Sequence, residues 1–109
     1  MRYKRTRKKE CDLKLATWNV RTMLKPGKMQ EIGREVVRYG FDIVAVQEIR
    51  WKGAGEIKKK DFTVFYSGKH DVAGQAGTGF FITNKIKNNV ISFEPINERL
   101  CKIRLKGKF

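Results

Sequence analysis

The spacing of apolar positions changes period several times along the chain, and each change marks an element. Leu13, Leu15 and Thr17 alternate with Ala16 and Trp18 up to Asn19, the two-residue period of a strand. Pro26-Gly27 breaks the pattern. Met29, Ile32, Val36 and Val37 then recur at helical spacing until Gly40, a residue suited to the C′ position, which predicts an amphipathic helix of roughly three turns. Phe41-Asp42 leads into Ile43-Val44-Ala45-Val46, apolar and mostly β-branched, as a strand buried on both faces would be. Strand, helix, strand is a βαβ unit whose crossover is long enough to make the two strands parallel. Asn19 and Glu48 then fall at the same edge of one sheet.

The second half is antiparallel in character. A basic, turn-rich stretch from Trp51 to Lys60 leads into Phe62-Thr63-Val64-Phe65-Tyr66-Ser67, an aromatic and β-branched strand. Gly68 to Gly77 is a polar connection holding the one histidine, His70. Thr78-Gly79-Phe80-Phe81-Ile82-Thr83 follows as a strand in which Gly79 allows close backbone packing. Lys85, Asn88 and Asn89 mark a turn, Val90 to Phe93 a short strand, and Leu100 to Leu105 an alternating one with a cationic side. Gly74, Gly77 and Gly79 make no phosphate loop, because neither a strand-then-helix context nor a Lys-Ser/Thr pair accompanies them.

Chemistry enters where the core strand ends. Gln47 and Glu48 come directly after Val46, and a charged carboxylate cannot stay buried without a partner, so both must emerge at the C-terminal end of the strand. In open α/β sheets that end is where ligands bind. Two readings stand side by side: Glu48 is a metal or substrate carboxylate placed there by a rigid strand, or it is an exposed strand terminator paired with Arg50.

Charge narrows the choice of partner. The 109 residues hold 25 Lys and Arg against 11 Asp and Glu, a formal charge of +14, which points to a polyanion, with nucleic acid the first candidate and a membrane surface the weaker one. Residues 1–10 carry Arg2, Lys4, Arg5, Arg7, Lys8 and Lys9 and read as a flexible basic arm, either a nuclear-import or nucleic-acid segment or a plain solvated leader. Without that arm the remainder still carries +9, so the basicity belongs to the domain too. No apolar run is long enough to span a bilayer and no apolar segment follows the N-terminal cations, so an intracellular, nuclear protein is expected. Cys11 and Cys101 lack metal-site spacing and fit reduced thiols.

Leu15-Ala16-Thr17-Trp18-Asn19-Val20, the helix, and Asp42-Ile43-Val44-Ala45-Val46-Gln47-Glu48 together resemble the opening of the endonuclease/exonuclease/phosphatase superfamily. Asn19-Val20-Arg21-Thr22-Met23 with Pro26-Gly27-Lys28, and Gln47-Glu48-Ile49-Arg50-Trp51, look most like the endonuclease domains of non-LTR retrotransposons and their host-domesticated relatives. Thr78-Gly79-Phe80-Phe81-Ile82 matches the next strand, and Glu98-Arg99-Leu100 the arginine-containing strand after it. The resemblance covers residues 11–109 and implies a partial domain, the N-terminal half of a four-layered α/β sandwich of the deoxyribonuclease-like fold with a mixed sheet.

By that resemblance Glu48 and Asn19 are the catalytic residues and the ligands of a divalent metal, Mg²⁺ or Mn²⁺. Arg21, Arg50, Trp51 and Lys52 are the implied nucleic-acid contacts, and the chemistry is hydrolysis of phosphodiester bonds in DNA. Arg21 stands where abasic-site endonucleases have an aspartate, which implies plain nicking. The family's tyrosine, aspartate-x-asparagine pair and aspartate-histidine pair would fall after Phe109, so this chain is expected to be inactive alone. A complementary C-terminal half, needed also to cover the inner face of the sheet, or a fused reverse transcriptase domain is the implied partner. Two alternatives remain: a non-enzymatic basic module that binds nucleic acid, or a phosphatase of the same fold.

Overall fold

A computed structural model describes residues 13–107. The basic arm of residues 1–10 and Cys11 lie outside the described residues. Seven strands and two helices follow in chain order: β1 (Leu15–Asn19), α1 (Lys28–Arg38), β2 (Ile43–Gln47), β3 (Ala54–Lys58), β4 (Phe62–Ser67), β5 (Thr78–Thr83), α2 (Asn84–Lys87), β6 (Val90–Asn97) and β7 (Leu100–Leu105). Five strands form one mixed sheet in the order β1-β2-β5-β4-β3, with β1 and β2 parallel and the other pairs antiparallel. β6 and β7 form a separate hairpin. The mixed α+β architecture agrees with the deoxyribonuclease-like fold class.

Two-residue periodicity assigns each core to one face of the sheet. Val44, Val46, Phe62, Val64 and Phe81 face α1 and pack on Ile32 and Val36, with the Phe62 and Phe81 rings stacked at 5.6 Å. Ile43, Phe65 and Ile82 face the other way, onto Ile86 and the hairpin residues Phe93, Ile103 and Leu105. There Phe93 lies 5.1 Å from Phe65 and 6.3 Å, edge-on, from Phe80. The described residues thus make three layers, helix, sheet and hairpin. The hairpin covers the inner face over β4 and β5, which the sequence had left open. Leu15 stays 62% exposed on the edge strand β1, and Ile91, Ile96 and Leu100 are exposed on the hairpin.

Several elements differ from the sequence expectation. β3 arises inside the stretch read as a turn-rich loop, because Gly55 and Ile57 turn half inward while Ala54, Glu56 and Lys58 face water; charge on the outer side of an edge strand is a usual protection against mispairing. β6 runs past Phe93 to Asn97 and passes Pro95 at a register shift, where a missing N–H is tolerated. α2 replaces part of the expected turn. Arg99 lies in the β6–β7 turn, and the strand begins after it at Leu100. In α1 the buried face is Ile32, Gly33 and Val36, while Val37 is 43% exposed, because the Phe62 ring occupies the space over Gly33. Gly40 takes the left-handed conformation that closes the helix, at φ 73°.

Side chains also tie the strand starts together. The buried Asp42 carboxylate accepts from the Lys14 N–H at 2.8 Å and lies 3.6 Å from the Lys85 ammonium, while its carbonyl accepts from the Thr83 N–H. A buried carboxylate is tolerable only with such partners. Cys101 is a free thiol on β7, pushed up in pKa by burial and so held protonated.

Gly79 is the closest approach in the sheet: a Cβ there would stand 2.2 Å from the Phe65 carbonyl oxygen and 3.1 Å from the Tyr66 Cα. Both obstacles are backbone and cannot rotate away. Gly79→Ala should therefore cost about 1–3 kcal/mol, the range for overpacking, read as a lower urea midpoint at unchanged slope. A variant as stable as the parent would show that β4 and β5 can part at no cost.

Candidate active site

The C-terminal end of β2 is built by backbone rather than by a pocket of side chains. Glu48 and Arg50 both take left-handed conformations, φ 57° and 65°, on either side of Ile49, which is fully buried. Arg21 and Ala76, at φ 66° and 47°, are in the same region. Such conformations cost L-residues roughly 1–2 kcal/mol each, so the surroundings must enforce them. They do so by hydrogen bonds among three segments. Val20 N–H donates to Gln47 O (3.1 Å) and Met23 N–H to Ile49 O (2.8 Å). Ile49 N–H donates to Gly77 O (3.2 Å), Arg50 N–H to Ala76 O (2.7 Å) and Gly74 N–H to Arg50 O (2.8 Å). Residues 19–23, 47–51 and 74–78 are locked as one unit, and the Glu48 side chain is turned out of the sheet plane to its rim.

Asn19 then fixes the carboxylate. Its Oδ1 accepts from the Arg21 N–H at 3.1 Å, an Asx turn that leaves Nδ2 aimed at Glu48, where it donates to Oε2. The Arg50 guanidinium lies 3.5 Å from Glu48 Oε1. The pKa of Glu48 is lowered, above all by the hydrogen bond from Asn19; desolvation, next in size, pushes it up, and the hydrogen bond and charge of Arg50 and then the charge of Arg21 lower it further. Because the shift is downward, the ionised form and any stability it brings are present at neutral pH and lost only on acidification below the ordinary carboxylate range.

Of the six residues singled out from the sequence, the structure gathers Asn19, Arg21, Glu48 and Arg50. Trp51 turns away from the surface: its indole N–H donates to Met23 O at 2.8 Å and its ring meets Tyr66 edge-on at 5.0 Å, half-buried beneath the site. Lys52 is exposed and bridges through its backbone to Lys69. Arg99 was missed as a site residue. It lines a cleft of about 180 Å³ with Glu48, Gln47, Thr78 and Glu98, brought there by the β6–β7 turn, whose Glu98 carbonyl accepts from Gly77 N–H at 2.9 Å. Asn97, whose Oδ1 accepts from the Arg99 N–H, is the turn former that could have signalled it.

The donor set fits a hard divalent ion in one mode only. Mg²⁺ is usually held by one or two carboxylates together with waters and substrate phosphates. Glu48 offers such a carboxylate, anionic and with its side chain 42% exposed. Asn19, placed in the sequence reading as a second ligand, presents its N–H₂ to Glu48 and has its oxygen engaged by Arg21, so here it orients the ligand. Among the described residues no three His, Cys, Asp or Glu side chains converge.

Two outcomes are expected. Asn19→Ala should raise the Glu48 pKa toward its ordinary value, followed by carboxyl ¹³C chemical shift against pH; an unmoved titration would assign the shift elsewhere. Ala76→Gly should add about 0.5–1 kcal/mol to stability by relieving a left-handed alanine, seen as a higher urea midpoint.

The model of the Endonuclease/Exonuclease/phosphatase family matches residues 16–105. Craniofacial development protein 2 of Bos taurus and that of Tragulus javanicus are each 31% identical over 94 residues, 86% of this chain. The chain spans 16% of the length of each of these curated relatives. No solved structure matches it. With the family match extending from within β1 to the end of β7, the chain belongs to the endonuclease/exonuclease/phosphatase family.

Proposed function

We propose that this domain takes part in metal-dependent hydrolysis of phosphodiester bonds in DNA, as a nicking endonuclease of the retrotransposon type, in a nuclear protein. The observation that carries the reading is the Glu48 carboxylate, held ionised by Asn19 at an open strand end and flanked by Arg21, Arg50 and Arg99. A carboxylate among cations suits a phosphodiester, whose charge the arginines neutralise while the carboxylate retains a small hard cation. Mg²⁺ or Mn²⁺ bound there would stabilise charge on the phosphoryl oxygen and the leaving group. Asn19 keeps the Glu48 oxygens turned toward that position. Arg50 pairs with the carboxylate and Arg99 lines the same cleft, where both can meet a DNA backbone.

Hydrolysis also needs a group to accept the proton of the attacking water, a contribution of typically 10²–10⁴-fold. Beside Glu48 the cleft holds one further carboxylate, Glu98, and no histidine; His70 is exposed in the β4–β5 connection. Catalysis is therefore proposed for this domain joined to a complementary C-terminal half or to a fused reverse transcriptase domain. The net charge of +14, which needs no catalysis to account for it, favours a second reading, a basic module that binds DNA without cutting it.

Relaxation of supercoiled plasmid separates the two. The 109-residue chain is expected to bind plasmid in a salt-dependent manner without relaxing it. Joined to a complementary half, it should nick with Mg²⁺ or Mn²⁺, stop on chelation, and lose at least about 100-fold in Glu48→Gln. Nicking that survives Glu48→Gln removes this carboxylate from catalysis. A completed domain that binds but never nicks supports the second reading.

A further inference from the structure

A second cationic surface lies at the opposite end of the sheet. Ser67 pairs with Thr78 at the Glu48 end, while Phe62 pairs with Thr83 at the end where β2 begins. The β3–β4 turn therefore stands roughly 17 Å from Glu48, the length of one strand. Beside it is a cavity of about 580 Å³, larger than the cleft at Glu48, walled by Arg34 and Arg38 of α1 and by Lys59 and Lys60 of the turn. Its floor is Phe62, pressed against Gly33.

The turn that carries Lys59 and Lys60 is fixed, and the cations of the groove are mostly unspent. Lys59 N–H donates to Phe62 O at 2.8 Å, closing the turn. Asn84 holds the turn from outside, its N–H donating to Asp61 O at 3.3 Å and its amide to Lys60 O. Glu35 and Asp61 also line the cavity, and Glu35 pairs with Arg38 at 3.6 Å. Among the described residues no carboxylate lies within 4.0 Å of the charged nitrogens of Arg34, Lys59 or Lys60.

We infer that the groove formed by Arg34, Arg38, Lys59 and Lys60 is a second contact for the phosphate backbone of nucleic acid, separate from the cleft at Glu48. A lone phosphate would be expected to use backbone N–H groups at a helix start, whereas α1 presents the turns near its C-terminus, where the dipole disfavours an anion. Cations standing on two walls of an open groove suit a chain of phosphates, each neutralised by a side chain. The two ends are separated by about twice the physiological Debye length of about 8 Å, so each binds on its own account. The inference does not depend on cleavage at Glu48.

Lysine acetylation footprinting of the full chain tests it. In the absence of DNA, Lys59 and Lys60 are exposed and should react fully. At saturating short DNA duplex and low salt they should become protected several-fold, and equally so in an Arg21→Gln/Arg50→Gln variant with a weakened Glu48 end. The Arg34→Gln/Lys59→Gln/Lys60→Gln variant should lower the slope of log affinity against log salt by about 2–3, at roughly 0.9 per phosphate contact. Lys102→Gln/Arg104→Gln/Lys106→Gln, an equal charge change on the hairpin, should lower it less. Unprotected Lys59 and Lys60, protection that disappears in the Arg21/Arg50 variant, equal slopes in the two triple variants, or no DNA binding would each overturn the inference. Protection by heparin but not by duplex would overturn the assignment to nucleic acid.

Discussion

Everything at the Glu48 end depends on the set of backbone hydrogen bonds that holds Ile49 in the core while its two neighbours are left-handed. A strand that continued past Gln47 would send Glu48 to the α1 face with Val44 and Val46 and Ile49 to the opposite face with Ile43, whereas Ile49 packs in the α1-side cluster. Reversing the chain at Glu48 and again at Arg50 buries Ile49 completely and leaves both charged side chains at the rim. The strain is offset by five bonds from the segments at 19–23 and 74–78. The elements that carry Asn19 and Ala76 are thereby placed by the same bonds that place Glu48.

That coupling gives the cleft its precision without a deep pocket. Asn19 reaches Glu48 across 29 residues of sequence because β1 and β2 are parallel and in register, Asn19 opposite Gln47. Arg99 arrives by another route, through a hairpin turn whose carbonyls accept from Gly77 N–H and the Ser67 hydroxyl. Three separate supports, a parallel pair, a looped connection and a second sheet, meet around one carboxylate. Residue-level electrostatics follow from the fold: a hydrogen bond from the strand neighbour dominates the lowered pKa, and the arginines add to it.

The legible parts of the fold were those where a single period governs. β2, β4, β5 and β7 are continuous or alternating apolar runs, and the helix between Pro26-Gly27 and Gly40 has both of its stops. The parallel pairing of β1 and β2, and with it the juxtaposition of Asn19 and Glu48, follows from crossover length alone. β3 was hidden because its outward positions are Glu56 and Lys58 and its inward ones include a glycine, so turn chemistry and edge-strand chemistry look alike. Gly33 was passed over in favour of Val37 because apolar counting cannot anticipate a phenylalanine ring filling the place of a side chain. Trp51 looked like a surface aromatic, yet its indole N–H closes the Met23 carbonyl, a partner that only the folded loops supply. Asn97 marks a turn at Arg99, but the approach of that turn to Glu48 depends on how the hairpin folds back over the sheet.

β1 is one of the two edge strands of the five-stranded sheet, with only β2 beside it among the described residues. Its outer backbone groups can accept another strand, and the geometry of a pleated sheet dictates what such an addition would do. A strand laid alongside would lengthen the row of strand ends and deliver its own terminal residue next to Asn19. A site assembled on strand ends grows by width rather than depth, one chemical position for each strand that joins the sheet.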